Sequence, residues 1–278
     1  MKIYLTKPGI LIEYEDRFCL ETDENWDSLL NRHNLHDYLL ARHTALPVCQ
    51  DAAAILEKDL LPPVNSQELW ASGVTYLRSK RERQEESKDS GGGDFYQRVY
   101  KAERPELFFK ANLNRIVGYG GKVRIRADSI WNVPEPELTL VLNCRGEIIG
   151  YTVGNDMSSR SIEGENPLYL PQAKTYDGCA ALGPCVFVTK DPFPADSIIT
   201  LNISRKGVGI FTGQIAISQI TRSFEDLAGF LFRECSFSHG ALLMTGTGIV
   251  PESPFTLMHN DTVSISIDHI GTLINQVA

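Results

Sequence analysis

Trp131-Asn132-Val133-Pro134-Glu135-Pro136-Glu137-Leu138 opens the stretch on which the reading of this chain turns. Gly154-Asn155-Asp156-Met157-Ser158-Ser159-Arg160 and Gln172-Ala173-Lys174-Thr175-Tyr176-Asp177-Gly178 continue it. Glu135 and Glu137 stand two apart, directly before the apolar run Leu138-Thr139-Leu140-Val141-Leu142. In an extended chain residues i and i+2 share one face, so the two carboxylates point the same way. Like charges so placed repel unless a proton or cation sits between them, and an oxygen-rich site of this kind suits a hard divalent ion such as magnesium. The bland alternative is two solvated glutamates at a strand start. Asp156 is the third candidate carboxylate, completing a set that leaves room for water or substrate on an ion. Alone, it reads equally well as the cap of the turn through Met157-Ser158-Ser159.

Outward from this stretch, strand-like runs recur between Gly and Pro punctuation at residues 138–142, 148–153, 184–189, 198–204, 209–217, 241–245 and 262–267. Short strands at near-regular spacing predict a largely antiparallel sandwich or roll. One helix intervenes at 223–232, with Ser223 as its cap and an apolar face, so the class is α+β with mostly β content. Residues 1–64 read as a small N-terminal domain with strands at 2–5 and 10–14 and a helix from 26 to about 43. It closes on Leu61-Pro62-Pro63-Val64, where proline holds its neighbours extended. Residues 65–278 then form the main domain. His33, His36 and His43 share a helical face on paper, but no carboxylate pattern accompanies them, and a solvated or packed face is the better reading.

Two further charged residues carry alternatives. Glu106 begins the run Glu106-Leu107-Phe108-Phe109-Lys110, where an acid is ordinarily a gatekeeper at the strand end. Buried beside a metal it would instead be a desolvated carboxylate suited to proton transfer. Lys174 follows a proline-interrupted loop; such a lysine is usually a surface charge, but beside a bound cation it can move a proton or hold an enolate oxygen.

These segments resemble the catalytic domain of the fumarylacetoacetate hydrolase superfamily, whose acidic pair, later Asp and later Lys recur here in order. Val133-Pro134-Glu135-Pro136-Glu137-Leu138 and Ser159-Arg160-Ser161-Ile162-Glu163-Gly164-Glu165-Asn166-Pro167 are most similar to the branch of 2-keto-3-deoxy-pentonate (arabinonate) dehydratases. The resemblance runs from about Leu69 to the C-terminus and is weak before it. It implies a fumarylacetoacetate-hydrolase-like β-sandwich or roll with Glu135, Glu137 and Asp156 on magnesium, manganese or calcium standing in. It further implies a 2-oxo acid substrate, metal-stabilised enolate formation, and loss of the C4 hydroxyl, with Lys174 near the enolate and Glu106 near the departing hydroxyl. The charged run at 79–88 and the glycines at 91–93, by themselves a solvated linker, become a closing lid, with Arg78 and Ser79 at its base as substrate contacts. Thr247, in Met244-Thr245-Gly246-Thr247-Gly248, becomes a pocket residue rather than part of a plain turn. His239-Gly240 departs from the usual turn upstream of it. Family members are commonly dimers, which implies a homo-oligomer.

The rival within the superfamily is a carbon–carbon hydrolase of acylpyruvate or fumarylacetoacetate type. Such hydrolases generally activate water with a His and an acid early in the catalytic domain, and this chain has no histidine between His43 and His239. An oxaloacetate-type decarboxylase would need only the metal. Outside the enzymes, an ion that merely offsets carboxylate repulsion in a β-protein would suit apolar residues at 78, 106 and 174, which are Arg, Glu and Lys.

Composition narrows the remaining classes. A net charge of -8 argues against a general nucleic-acid binder, and 42% hydrophobic residues is ordinary for a globular chain. No apolar signal core precedes Glu13 and no run approaches membrane-spanning length, which predicts a cytoplasmic protein without a membrane partner. The six cysteines lack a Cys-x-x-Cys pair and read as reduced thiols. Nucleophile-elbow, phosphate-loop and dinucleotide glycine motifs are missing from the sequence.

Overall fold

The computed structural model describes residues 1–76 and 98–278. The expected positions Arg78 and Ser79 and the expected lid lie outside those residues.

Among the described residues, a ten-stranded sheet runs in the order Arg17–Glu21, Ile10–Tyr14, Lys2–Leu5, Ala180–Phe187, Ile148–Asp156, Pro136–Leu142, Ala241–Met244, Glu68–Gly73, Glu106–Ala111, with Ile116–Val117 beside Ala180–Phe187. A second, five-stranded sheet orders Val208–Ala216, Ile198–Arg205, Thr262–Ile267, Gly271–Val277 and Lys122–Val123. Most pairings are antiparallel, and the mostly-β class expected from the turn spacing is the class observed.

The large sheet is covered on both faces. Leu138, Leu140 and Leu142 pack in one buried cluster with Ile199, Leu201, Ile203 and Ile265 of the second sheet. Val141, Leu242 and Met244 belong to a second cluster with Trp26, Leu29, Leu30, Leu35 and Leu39 of the N-terminal helices. Period-2 alternation therefore sends neighbouring residues of one strand into different cores, so Pro136–Leu142 is buried throughout.

Several boundaries differ from the sequence expectation. The single helix expected from 26 to 43 is two, Trp26–Leu30 and Leu35–Ala45. Asn31 ends the first, and its side chain is drawn sideways, donating to Ser238 O and accepting from Cys144 N. Asparagine competes for backbone partners in this way and breaks a helix that apolar periodicity alone would continue. The three histidines go to different partners: His33 to Glu147, His36 toward Asp37, and buried His43 to Arg17 O. Strand 148–153 continues to Asp156, and the strand expected at 184–189 is Ala180–Phe187. Lys174 does not sit in a loop; it ends the short helix Leu170–Lys174, where Pro171 occupies the first turn. The helix at the expected 223–232 spans Phe224–Leu231, and Ser223 caps it by accepting from Asp226 N. The N-terminal strands join the main sheet through Lys2–Leu5, which pairs with Ala180–Phe187.

Candidate active site

Five adjacent strands of the large sheet deliver residues to one end of it. Ile148–Asp156 ends there and its antiparallel neighbour Pro136–Leu142 begins there. Ala241–Met244 and its parallel neighbour Glu68–Gly73 end there, and Glu106–Ala111 begins there. Glu135 and Asp156 exchange both backbone hydrogen bonds, 3.2 and 2.9 Å, and Glu137 lies opposite Gly154. The ladder thus brings three carboxylates together, with ligand oxygens all within 4.8 Å of one another. Each of the three residues is at most 2% exposed. The carboxylate of Asp156 faces this cluster instead of capping the turn after it.

Among the described residues, three cations surround the cluster. Lys174 Nζ donates to Glu135 Oε2 at 2.8 Å, to Asp156 Oδ2 at 3.2 Å and to Ser158 Oγ at 2.6 Å. Arg160 Nη2 donates to Glu135 Oε1 at 2.8 Å. Lys110 Nζ lies 2.5 Å from Asp156 Oδ1 and donates to Met157 O at 3.0 Å and to Lys174 O. All three cations are buried. Losing one partner of such an arrangement leaves an uncompensated charge in a dry site, typically costing about 3–5 kcal/mol.

Glu137 is in a different position from the other two. Among the described residues its carboxylate accepts one hydrogen bond, from Gly246 N–H at 2.6 Å. The strand Ala241–Met244, paired with Pro136–Leu142, carries Gly246 to that point. Burial pushes the Glu137 carboxyl well above the usual carboxylate range, and repulsion from Asp156 and Glu135 adds to it. A buried, all-oxygen cluster with an electrostatically strained member fits a hard divalent cation, which would offset both effects at once.

Ser72, Gly73, Val74, Phe108, Gly246 and Thr247 line the same pocket as the carboxylates, Arg160 and Lys174. Thr247 is therefore at the pocket, although its hydroxyl is engaged within its own turn, with Ile249 N and O at 3.2 Å. Gly240 adopts φ +76 in a turn closed by its N–H to Phe237 O. Glu106 pairs directly with Gly73 at the pocket wall, and its Oε2 is buried.

Lys110 and Arg160 were not assigned from sequence. Lys110 carried a signal: strand alternation puts Glu106, Phe108 and Lys110 on one face, and a lysine inside an apolar run needs a buried partner. Arg160 follows Asp156 by four residues, but nothing in that spacing shows that the short helix Arg160–Glu165 turns its first side chain back onto Glu135.

The model of the fumarylacetoacetate (FAA) hydrolase C-terminal family matches residues 68–278. A Haloferax volcanii protein named a probable 2-keto-3-deoxyxylonate dehydratase is 48% identical over 225 residues, covering 81% of this chain and 76% of that protein. The 2-dehydro-3-deoxy-D-arabinonate dehydratase of Saccharolobus solfataricus is 43% identical over 219 residues, 77% and 73% of the two chains. A solved 2-keto-3-deoxy-D-arabinonate dehydratase complexed with magnesium and 2,5-dioxopentanoate superposes with a TM-score of 0.85 at 34% identity, over 100% of this chain and 98% of that one.

Proposed function

The chain belongs to the fumarylacetoacetate hydrolase family, and on that footing we propose that it is a magnesium-dependent lyase that removes water from a 2-keto-3-deoxy sugar acid of the pentonate type. The observation that carries the reading is the buried triad Glu135, Glu137 and Asp156 with Lys174 bridging two of its members. The relatives named as dehydratases and the solved complex with magnesium support it.

Glu135, Glu137 and Asp156 would hold the ion. When bound, magnesium supplies a Lewis acid that polarises the 2-oxo group and eases loss of a C3 proton. Lys174 presents a buried ammonium to the negative charge that grows on the 2-oxo oxygen, a preorganised donor that costs no reorganisation. Glu106, on the adjoining wall, delivers a proton to the C4 hydroxyl as it leaves as water, and the proton released from C3 returns Glu106 to its acid form, so that no net proton is consumed. Arg78 and Ser79 are assigned to the substrate carboxylate or a hydroxyl on sequence grounds, and Thr247 borders the substrate.

The carbon–carbon hydrolase is the second reading, and the pocket disfavours it, since no histidine is among its described lining residues. Among the described residues no helix is long and apolar enough to cross a membrane. A cytoplasmic homo-oligomer, a dimer or larger, and a division into residues 1–64 and 65–278 complete the proposal. The test is to incubate the protein and magnesium with a panel of 2-keto-3-deoxy acids and acylpyruvates and to weigh the products. Loss of one water from a 2-keto-3-deoxy-pentonate is expected; gain of water with fragmentation of an acylpyruvate would replace the reading with hydrolysis.

A further inference from the structure

Gly73 lines the carboxylate pocket and is the direct antiparallel partner of Glu106. A Cβ on Gly73 would lie 2.1 Å from Glu106 Oε2, 2.7 Å from its Cδ and 3.4 Å from its Cγ. The Glu106 carboxylate thus fills the space in which any other residue at 73 would begin its side chain. Gly73 is the last residue of the strand Glu68–Gly73, and a glycine in a strand often marks close approach of another group. Backbone conformation supplies no competing reason, because Gly73 is absent from the positive-φ glycines of the described residues. Gly246, across the pocket, differs: its φ of +90 by itself favours glycine.

We infer that Gly73 is a positioning residue for the proton transfer assigned to Glu106. This rests on the reading of Glu106 given above. The missing side chain lets the carboxylate fold across the strand pair onto the pocket wall. Phe108 lines the pocket, and Lys110, the extra residue where the ladder shifts register opposite Leu69 and Trp70, reaches Asp156, so Glu106–Ala111 is held at its inner end. A methyl at 73 therefore cannot be relieved by sliding that strand; the carboxylate must swing away. Misplacing a reacting group by about 1 Å can cost on the order of a hundredfold in rate.

Gly73→Ala, Glu106→Asp, the double variant and Glu106→Gln test this in the full-length protein with magnesium. Gly73→Ala should lower kcat by roughly ten- to a hundredfold while KM and magnesium affinity by calorimetry stay within about threefold. Aspartate at 106 puts its carboxyl carbon where Cγ now stands, 3.4 Å from the new methyl. Glu106→Asp should therefore cost the parent more than it costs Gly73→Ala. Parent-like turnover of Gly73→Ala beside an impaired Glu106→Gln would overturn the positioning role alone. Parent-like turnover of Glu106→Gln would instead remove Glu106 from the reaction and the underlying reading with it. If Gly73→Ala does not fold, Glu106→Ala added to it should restore the melting transition, and failure to do so contradicts the contact.

Discussion

Lys174 Nζ stands 2.8 Å from Glu135 Oε2, and both side chains are shut away from solvent. The same ammonium reaches Asp156 Oδ2 at 3.2 Å, so one lysine bridges two of the three carboxylates proposed to hold the ion. Lys174→Met removes that charge and exposes the carboxylates to one another. Activity should fall by about a hundredfold or more, the scale for losing a positioned proton-transfer or charge-stabilising group. Added magnesium should raise the melting temperature of Lys174→Met more than that of the parent, because the ion replaces a missing positive charge. An equal rise in both would contradict this.

Lys110 ties the end of the strand Ile148–Asp156 to the helix Leu170–Lys174, through Asp156 Oδ1, Met157 O and Lys174 O. Lys110→Met leaves Asp156 with less compensation and should destabilise the fold by about 3–5 kcal/mol, read as the shift in denaturant midpoint. A shift below about 1 kcal/mol, typical of an exposed pair, would show that the contact is not the buried clamp described.

The Glu137 carboxyl is held above its ordinary range by burial and by repulsion from Asp156 and Glu135. A raised acid stabilises the fold below its unfolded-state value, and that contribution is lost as pH rises through the folded-state value. The metal-free protein should therefore lose stability on going from acidic toward neutral pH, and magnesium should return more of it at the higher pH. Glu137→Gln cannot titrate and should flatten this dependence. Melting curves with chelator and with magnesium, for parent and variant across that range, provide the check.

Much of this site is legible in the sequence. The Glu135/Glu137 spacing fixed a shared face, because strand alternation is a property of the backbone. For Asp156 and Lys174 the residues leave two readings open and the resemblance favours one of them, since a lone carboxylate or lysine carries no spacing signal of its own. Lys174 reads as a loop residue because its helix, Leu170–Lys174, is too short to display a period. Arg160 was hidden for a related reason: a single turn of helix decides where it points, and tertiary contact decides that turn. The strand Gly271–Val277 is not legible in the sequence because Asn275 places a polar side chain at a buried position of the alternating pattern.

Glu106→Gln keeps the shape of the side chain but cannot shuttle a proton. Turnover should drop by roughly a hundredfold while magnesium affinity persists. A C3 deuterium label should still wash out without product formation, which places Glu106 at hydroxyl loss rather than at proton abstraction. Retention of the label in the variant would move Glu106 to the earlier step.

One divalent ion on Glu135, Glu137 and Asp156 is proposed to make this chain a sugar-acid dehydratase. The most direct test is calorimetric titration of chelator-treated parent and Glu137→Gln with magnesium, alongside the rate of water loss from a 2-keto-3-deoxy-pentonate at each magnesium concentration. One magnesium per chain should bind the parent, with dehydration rising along the same curve, and binding and rate should weaken together in Glu137→Gln. Unchanged magnesium affinity in the variant, or dehydration by chelator-treated parent at the full rate, would contradict the claim.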